Sequence, residues 1–447
     1  MPPPVRCQGR VMNKITKGVK LELDPNNLQI AYFERCLLAT RLLYNAALAR
    51  YIAAKKIDPK IQFDYNESKK YFRRLKKTKE WNIIQHVHKH VVDEAFGNLR
   101  EAFSNWGKRY KKGVGFPVFK KYGVNESFSA YGSYCEENYI TIPGCKVANN
   151  TFNKKIRLKE RVKGRHHKGD LNSAVISRRA NRWFISFTVK QTHSMPNNTG
   201  PKVGIDLGIK SFCVLSNGET VLPQNYLRKS ERKMKRLQRS FSRKKKGSKN
   251  RAKAQRRVAR LHFKIANQRL DFQHKLSHRL STEFSGIAVE NLNVKGMMMN
   301  RRLSKSISDQ AWSEFKRQLN YKTEWNGSEI RLVNRFFPSS RICFDCGYKN
   351  NSLKQSDRSW SCTQCGSIHD RDLNAAHNIL IEAYPECQGN VLGNGGKPGQ
   401  LSVVSKETLD GKLECQQGCV VIDSNVHANV HAKSVPSQPI HNSWELL

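Results

Sequence analysis

CTQCGSIHDRDLNAAHNI, residues 362–379, sets a Cys-x2-Cys pair directly before Asp-Arg-Asp and a run of helical pattern. A matching pair, Cys343 and Cys346, is separated from Cys362 by fifteen residues. Two such pairs are the pattern of a four-thiolate zinc site. Each Cys-x2-Cys turn aims both sulfurs at one ion, and two turns close a tetrahedron. Gly347 and Gly366, each just after the second cysteine of its pair, suit the tight turns. With Cys343, Cys346, Cys362 and Cys365 as ligands no position stays open, so the expected zinc is structural, not catalytic.

The helix that follows carries an acid. Asp372, Ala376, Ile379 and Ala383 share one face, the face expected to pack on a sheet. Asp370 shares its face with Asn374 and His377. Asp372 is therefore favoured over Asp370 as the inward acid, with Asp370 the alternative. Upstream, VGIDLG (203–208) reads as a strand in which Val203, Ile205 and Leu207 point one way. Asp206 points the other way, between Gly204 and Gly208. Glu290 ends the apolar strand GIAVE (286–290). A buried carboxylate is costly unless something compensates it. A single acid in a strand is more often structural or a cap. Three at element ends form a better case: converging carboxylates hold two divalent ions roughly 3.5–4 Å apart. One ion activates a water and the other stabilises a leaving 3′ oxygen. Magnesium suits such a site, since it takes few carboxylates and keeps waters and phosphate ligands.

The charge says what such a site acts on. Eighty Lys and Arg against 36 Asp and Glu give a net charge of +44. A field of that size attracts polyanions, and nucleic acid is the expected partner. Residues 228–269 hold nineteen of the basic residues and one acid. Leu237, Phe241, Val258 and Leu261 keep apolar spacing there, which favours a helical hairpin that tracks phosphates. Arg243, Lys244, Lys245, Lys246, Lys249, Arg251, Arg256 and Arg257 are its candidate backbone contacts. No run approaches the ~20 apolar residues of a membrane span. MPPPVRCQGRVMNK, residues 1–14, lacks the apolar core of a signal peptide. A cytoplasmic protein without a membrane partner is expected, and paired cysteines in that compartment read as metal ligands.

Along the chain, residues 11–23 read as a strand, 27–112 as helices and 125–190 as β-rich, with a hairpin turning at Ala180-Asn181. A second hairpin turns at Asn217-Gly218. Residues 228–282 read as one or two long helices, 306–326 as a helix and 329–337 as a strand. Residues 384–447 lack periodicity and read as a disordered tail.

These segments in this order resemble the TnpB (OrfB) proteins of bacterial insertion sequences, the relatives of type V CRISPR effectors. The residues that carry the resemblance are VGIDLGIKSF, the basic run SRKKKGSKNRAKAQRRVARL, VENLNVKGM, RFFPSSRICFDCG and CTQCGSIHDRDLNAAHNI. It is close over 200–383, looser over 12–190 through LLYNAAL and GFPVFKKYG, and absent from the tail. The resemblance implies an α/β nuclease lobe of RuvC type, RNase H-like, with an inserted four-Cys zinc module. It also implies an N-terminal split β-barrel carrying an inserted helical domain. Asp206, Glu290 and Asp372 would match the family's three acids and hold magnesium. The implied domains are an extension (1–11), the first barrel strand of the wedge (12–26), a helical recognition domain (27–115) and the rest of the barrel (116–198). The nuclease (199–340) with its basic hairpin (228–282), the zinc insertion (341–368), a last nuclease segment (369–383) and the tail (384–447) follow. The implied partners are a guide RNA from the element's end and target double-stranded DNA recognised beside a short motif. The protein is expected as a monomer on one RNA, near the bacterial nucleoid. Base pairing then reads sequence while protein reads backbone shape.

Two departures stand out. PPPVRCQGR precedes the family's usual start. The tail holds Cys415, Cys419, His427 and His431, whose seven-residue gap is short of the ~12 of a zinc finger. Three other functions compete. An RNA-guided repressor without cleavage would lack acids of the triad. A strand-joining transposase needs a nucleophilic Tyr beside His-hydrophobe-His, met only by His86-Val87-His88 in the helical block. An unguided RNA-binding zinc protein leaves the buried acids unexplained.

Overall fold

A computed structural model describes residues 12–388, except 76–77, 79–80, 82–86, 109–114, 124–125, 143–153, 161–168, 172–173, 195 and 355. The N-terminal extension, most of the tail, its Cys415/Cys419/His427/His431 set and His86 lie outside the described residues. The chain divides into two compact units, one spanning Lys14–Thr192 and one holding the rest.

Among the described residues the first unit opens with β1 (Met12–Asp24) and three helices, α1 (Asn27–Ile57), α2 (Tyr65–Leu75) and α3 (Lys89–Gly107). Asn26 caps α1 reciprocally with Gln29, which fixes the helix start just after Pro25. Seven more strands follow: β2 (Ser127–Ser129), β3 (Ser133–Cys135), β4 (Tyr139–Thr141), β5 (Lys155–Leu158), β6 (Gly169–Leu171), β7 (Ala174–Arg179) and β8 (Arg182–Ser194). They form one sheet in the order β2-β7-β8-β1-β5-β4-β3-β6. The helices are thus inserted between β1 and both of its sheet neighbours. Ala180 and Asn181 both have positive φ, 51° and 63°, as the two-residue turn joining β7 to β8 demands. Phe33, Leu43 and Leu48 of α1 share a core with Phe96 and Leu99 of α3 and with Phe128, Ile176 and Ile185 of the sheet.

The second unit is built on β9 (Lys202–Leu207), β10 (Cys213–Leu215), β11 (Thr220–Val221), β12 (Gly286–Glu290) and β13 (Glu329–Val333). Their order is β11-β10-β9-β12-β13. β9, β10 and β11 run as an antiparallel meander, and β12 and β13 lie parallel to β9 and to each other. Between the strands come α4 (Tyr226–Ser242), α5 (Lys249–Glu283), α6 (Val294–Met297), α7 (Ser304–Gln310) and α8 (Trp312–Asn326). After β13 come a short hairpin, β14 (Ser359–Ser361) with β15 (Ile368–Asp370), and α9 (Arg371–Ala383). Val203, Ile205 and Leu207 of β9 bury against Leu276 and Leu280 of α5 and Phe315 and Leu319 of α8. α9 covers the opposite face, where Ile379 and Leu380 meet Ala288. β9 and β12 are covered on both sides, which is why VGI and GIAV read as continuous apolar runs.

Gly204 is what lets α9 approach. A Cβ built there would lie 2.1 Å from the Ala376 carbonyl oxygen and 2.7 Å from the Leu380 nitrogen. Both are backbone atoms that cannot swing aside. Gly204→Ala is therefore expected to lift α9 off the sheet and to lower stability by at least the ~1–3 kcal/mol of an overpacked core. A denaturation midpoint within error of the parent would refute this.

The structure departs from the sequence reading in four places. The expected helix 306–326 is broken at Ala311, which has φ 52° between α7 and α8. The Gln273 side chain donates to the carbonyls of Gln310 and Ala311 at 2.8 and 3.1 Å, so a neighbouring helix holds the break. The expected strand 329–337 stops at Val333, where the Asn334 side chain accepts from Phe336 N and turns the chain. Residues 384–388 do not belong to a disordered tail: Tyr384 and Cys387 are fully buried, Tyr384 beneath Gly286. The helix face of Asn374 and His377 is buried, not solvated. No helix among the described residues is long and apolar enough to cross a membrane.

Candidate carboxylate and zinc centres

The strand register places two of the acids side by side. β12 pairs with β9 in parallel up to Val289 against Ile205, so Glu290 follows beside Asp206. The third acid arrives on the helix. The C-terminal end of α9 lies over the start of the strands, where Tyr384 meets Gly286 and Lys202. α9 therefore runs against β9. One helical turn back from Ala376, about 6 Å, is Asp372. Two strand residues on from Gly204, about 6.6 Å, is Asp206. The two steps match, and Asp372 comes to stand at Asp206.

The electrostatics follow from that placement. Asp206 is enclosed by protein on most sides, though part of its surface stays open. Burial first, and then the charges of Glu290 and Asp372, push its carboxyl up to about 8, against the weaker pull of Arg371 and Arg358. Burial also raises Glu290, offset by a 2.6 Å hydrogen bond from the Ser339 hydroxyl. Asp372 accepts from one guanidinium nitrogen of Arg358 at 3.2 Å to each oxygen. Asp370 has another task. It caps α9, accepting from Asp372 N and Leu373 N at 3.0 and 2.9 Å.

The four cysteines come together. Their sulfurs all lie within 4.8 Å of one another. The pairs Cys343–Cys365 and Cys346–Cys362 are 3.6 Å apart. A tetrahedral zinc with bonds of ~2.3 Å sets sulfurs about 3.8 Å apart, so the donor set fits. Gly347 and Gly366 each have φ 76°, and each amide bonds back to Cys343 O or Cys362 O at 2.9 Å. The same knuckle is built twice.

Sequence reasoning missed the residues that tie the two centres together. Asn374 accepts from Phe344 N at 3.0 Å and donates to Ile342 O at 2.7 Å. Asn378 donates to Ser339 O at 2.8 Å and Ile342 O at 2.7 Å. The polar face of α9 thus holds the backbone that leads into the first knuckle. His369 places Nε2 3.0 Å from Cys343 Sγ, the position of a hydrogen-bonding partner to a metal-bound thiolate. Arg358, inside the zinc module, reaches Asp372, and its carbonyl accepts from Arg371 N at 2.8 Å. The only sequence signal was the polar spacing Asn374, His377, Asn378, which also fits a wet surface.

α4 and α5 form a hairpin closed by Met234, Leu261 and Ile265, with Leu237 and Val258 packed beside them. Arg243, Lys244, Lys245, Lys246, Lys249, Arg256 and Arg257 are exposed on it. Arg251 is tied into the turn: its guanidinium donates to Phe241 O and Lys244 O at 3.2 and 2.8 Å and lies 4.2 Å over the Phe241 ring. Arg232, Arg236, Arg239, Arg243, Lys235 and Lys244 line an open groove of about 700 Å³ along α4.

Three family models match. One of OrfB_IS605, described as a probable transposase, covers residues 186–301. A Cas12f1-like TNB domain covers 312–379, and a helix-turn-helix domain covers 12–56. A curated Streptomyces pristinaespiralis protein is 33% identical over 393 residues, 88% of this chain and 94% of that one. The chain belongs to the OrfB (TnpB) family. That relative is provisionally named an RNA-guided DNA endonuclease. An Escherichia coli K12 relative with the same provisional name is 29% identical over 407 residues, 86% of this chain and 96% of that one. Among solved structures, the protein of a Cas12f1–sgRNA–target DNA complex aligns with TM-score 0.51 at 14% identity, over 82% of this chain and 99% of that one. That likeness supports a shared mixed α/β fold. In this OrfB protein the segment matched as helix-turn-helix is a strand and one 31-residue helix, β1 and α1.

Proposed function

We propose that this OrfB protein is an RNA-guided, magnesium-dependent DNA endonuclease that cuts through a RuvC-type site of Asp206, Glu290 and Asp372. The observation that carries the reading is the convergence of three acids from β9, β12 and α9, with the Asp206 carboxyl pushed up to about 8 by burial and then by the charges of the other two. Hard oxygen donors crowded at one point fit magnesium, since a bound cation removes the repulsion. When bound, magnesium supplies an activated water and charge stabilisation at the leaving oxygen. Asp206 and Glu290 would hold it from the rigid sheet, and Asp372 from the helix. Ser339 and Arg358 orient two of these carboxylates. The four cysteines would hold a zinc ion, which would fix the module from which Arg358 reaches.

The names of the relatives favour RNA as the source of specificity, and the +44 charge suits a chain that holds RNA and DNA together. The guide would derive from the element's end, and one protein would sit on one RNA. The sheet and helices of Lys14–Thr192 would serve as wedge and recognition domains that read a short motif beside the target. The exposed basic residues of the α4–α5 hairpin would hold backbone phosphates. An RNA-guided repressor is the weaker reading, because it has no use for three crowded acids.

Two experiments test the proposal. RNA that co-purifies from the native locus should be one species with a constant scaffold and a 3′ end drawn from flanking DNA. That RNA should direct magnesium-dependent cutting of matching DNA. A smear of cellular RNA, with no directed cutting, would remove the guided mechanism.

A pH dependence follows from Asp206. Its carboxyl is raised to about 8 without metal, so a proton must leave before magnesium binds. Apparent magnesium affinity should rise by up to about tenfold per pH unit below pH ~8 and then level off. Magnesium titrations of RNA-loaded protein from pH 6 to pH 9 measure this. Affinity that is flat across the range would contradict the linkage.

A further inference from the structure

The loop Asn334–Ser339 leaves β13 at the end of the sheet where Glu290 stands, and its two phenylalanines turn opposite ways. Phe337 packs against the cluster of Ala288, Val333, Ile379 and Tyr384. Phe336 is 85% exposed, the most exposed aromatic side chain among the described residues. The loop holds it there. Asn334 accepts from Phe336 N through its side chain and from Phe337 N through its carbonyl, both at 3.0 Å. Ser339 N donates to Phe337 O at 2.9 Å, and Asn378 fixes Ser339 O at 2.8 Å.

The far end of the loop is the carboxylate site itself, through the 2.6 Å bond from Ser339 to Glu290. Three residues of chain hold Phe336 within about 11 Å of Ser339. A phenyl ring in water forgoes the gain of burial, and no packing among the described residues of this unit covers it. The Arg335 guanidinium stands 5.9 Å from the ring, so a cation accompanies the apolar face. An exposed ring beside a cation is the pairing that takes an unpaired base and its phosphate.

We propose that Phe336 is a base-stacking residue of the cutting site, its ring taking the face of one unpaired nucleobase close to the scissile phosphate. This rests on the endonuclease reading. Arg335 adds a cation to the same contact. Phe336 thereby sets which phosphate of the strand reaches Asp206 and Glu290.

The test uses the full chain with its co-purified RNA. In an Asp206→Asn background, single-stranded DNA carries 2-aminopurine at successive positions along its length, one position per strand. At one position the fluorescence should fall several-fold on binding, and should not fall with Asp206→Asn/Phe336→Ala. Phe336→Trp should keep the effect and Phe336→Leu lose it. In the active protein, Phe336→Ala should cut about tenfold more slowly. Removing the base at that position should slow the parent equally and slow Phe336→Ala no further. Fluorescence unaffected by Phe336→Ala at every position, or additive losses from the two changes, would overturn the proposal. The fluorescence arm needs no cleavage and no guided targeting, so failure of RNA-directed cutting by the parent would count against the endonuclease reading alone. The side chain is exposed, so its replacement leaves folding intact.

Discussion

Asp206→Asn protein is expected to bind RNA and DNA as the parent does and to cut neither strand of the target. A metal-held water and leaving group supply several kcal/mol of transition-state stabilisation, so the loss should be roughly 10³-fold or more. Glu290→Gln and Asp372→Asn should behave alike, because the three acids act on one centre. Asp370→Asn serves as the control. Asp370 caps α9 and has no place among the converging acids. Its loss should leave cutting near the parent level, and asparagine keeps most of the cap. Stability separates the variants further. The Asp206 carboxyl is raised in the folded protein from its ordinary value near 3.8 to about 8. The folded state therefore holds this proton more tightly than the unfolded chain. That contribution is fully present below pH ~4 and is lost as pH rises towards ~8. Metal-free Asp206→Asn should lack this loss and melt higher than the parent at pH 8. Cutting retained by Asp206→Asn and Asp372→Asn together would remove the carboxylate mechanism. An unchanged melting temperature would remove the argument from the raised carboxyl while leaving the mechanism standing.

Loss of zinc is expected to slow cutting at a distance. The thiolate cluster holds the two knuckles, and Arg358 lies between them in sequence. From there it donates to both oxygens of Asp372. The Ile342 carbonyl, one residue before Cys343, accepts from Asn374 and Asn378 of α9. If the knuckles open, four sulfurs lose their ion and α9 loses the backbone that its buried asparagines bind. An unsatisfied buried amide costs ~1–3 kcal/mol, and two are involved. Cys343→Ser/Cys362→Ser protein should therefore release zinc, melt earlier and cut on the order of 100-fold more slowly. Arg358→Ala keeps the zinc, so it isolates the positioning part. It should slow cutting by about 10- to 100-fold with zinc content unchanged. Full activity in zinc-free protein would mean that the module is decoupled from Asp372.

Much of this centre was legible along the chain. The two Cys-x2-Cys pairs with their glycines announce a closed thiolate site, because metal ligands must be contributed at short fixed spacings. Asp206 in VGIDLG and Glu290 after GIAV stand out because an acid does not end a buried apolar run without cause. The two hairpin turns were legible because Ala180-Asn181 and Asn217-Gly218 sit between alternating strands. Other features were invisible. The break at Ala311 has no glycine or proline and is held by Gln273, far away in sequence. Asn374 and His377 fell with Asp370 on the polar face of the helix, and Asn378 carried no reading, since polar residues at helical spacing read the same whether they meet water or a loop backbone. Tyr384 and Cys387 looked like the start of a loose tail because no period survives past Ala383.

Sequence by itself determined the kinds of site: four thiolates at local spacing, acids at the ends of apolar strands, and a basic run with a thin apolar stripe. These depend on residue type and short-range period, which the chain carries directly. Only the tertiary structure decided which groups meet. The parallel register of β9 and β12 sets Asp206 beside Glu290. The close approach that Gly204 permits brings Asp372 over them. Arg358 and Ser339 then find their carboxylates. Such meetings depend on register, helix direction and approach distance between segments up to 166 residues apart, and those are fixed by packing that no local pattern encodes.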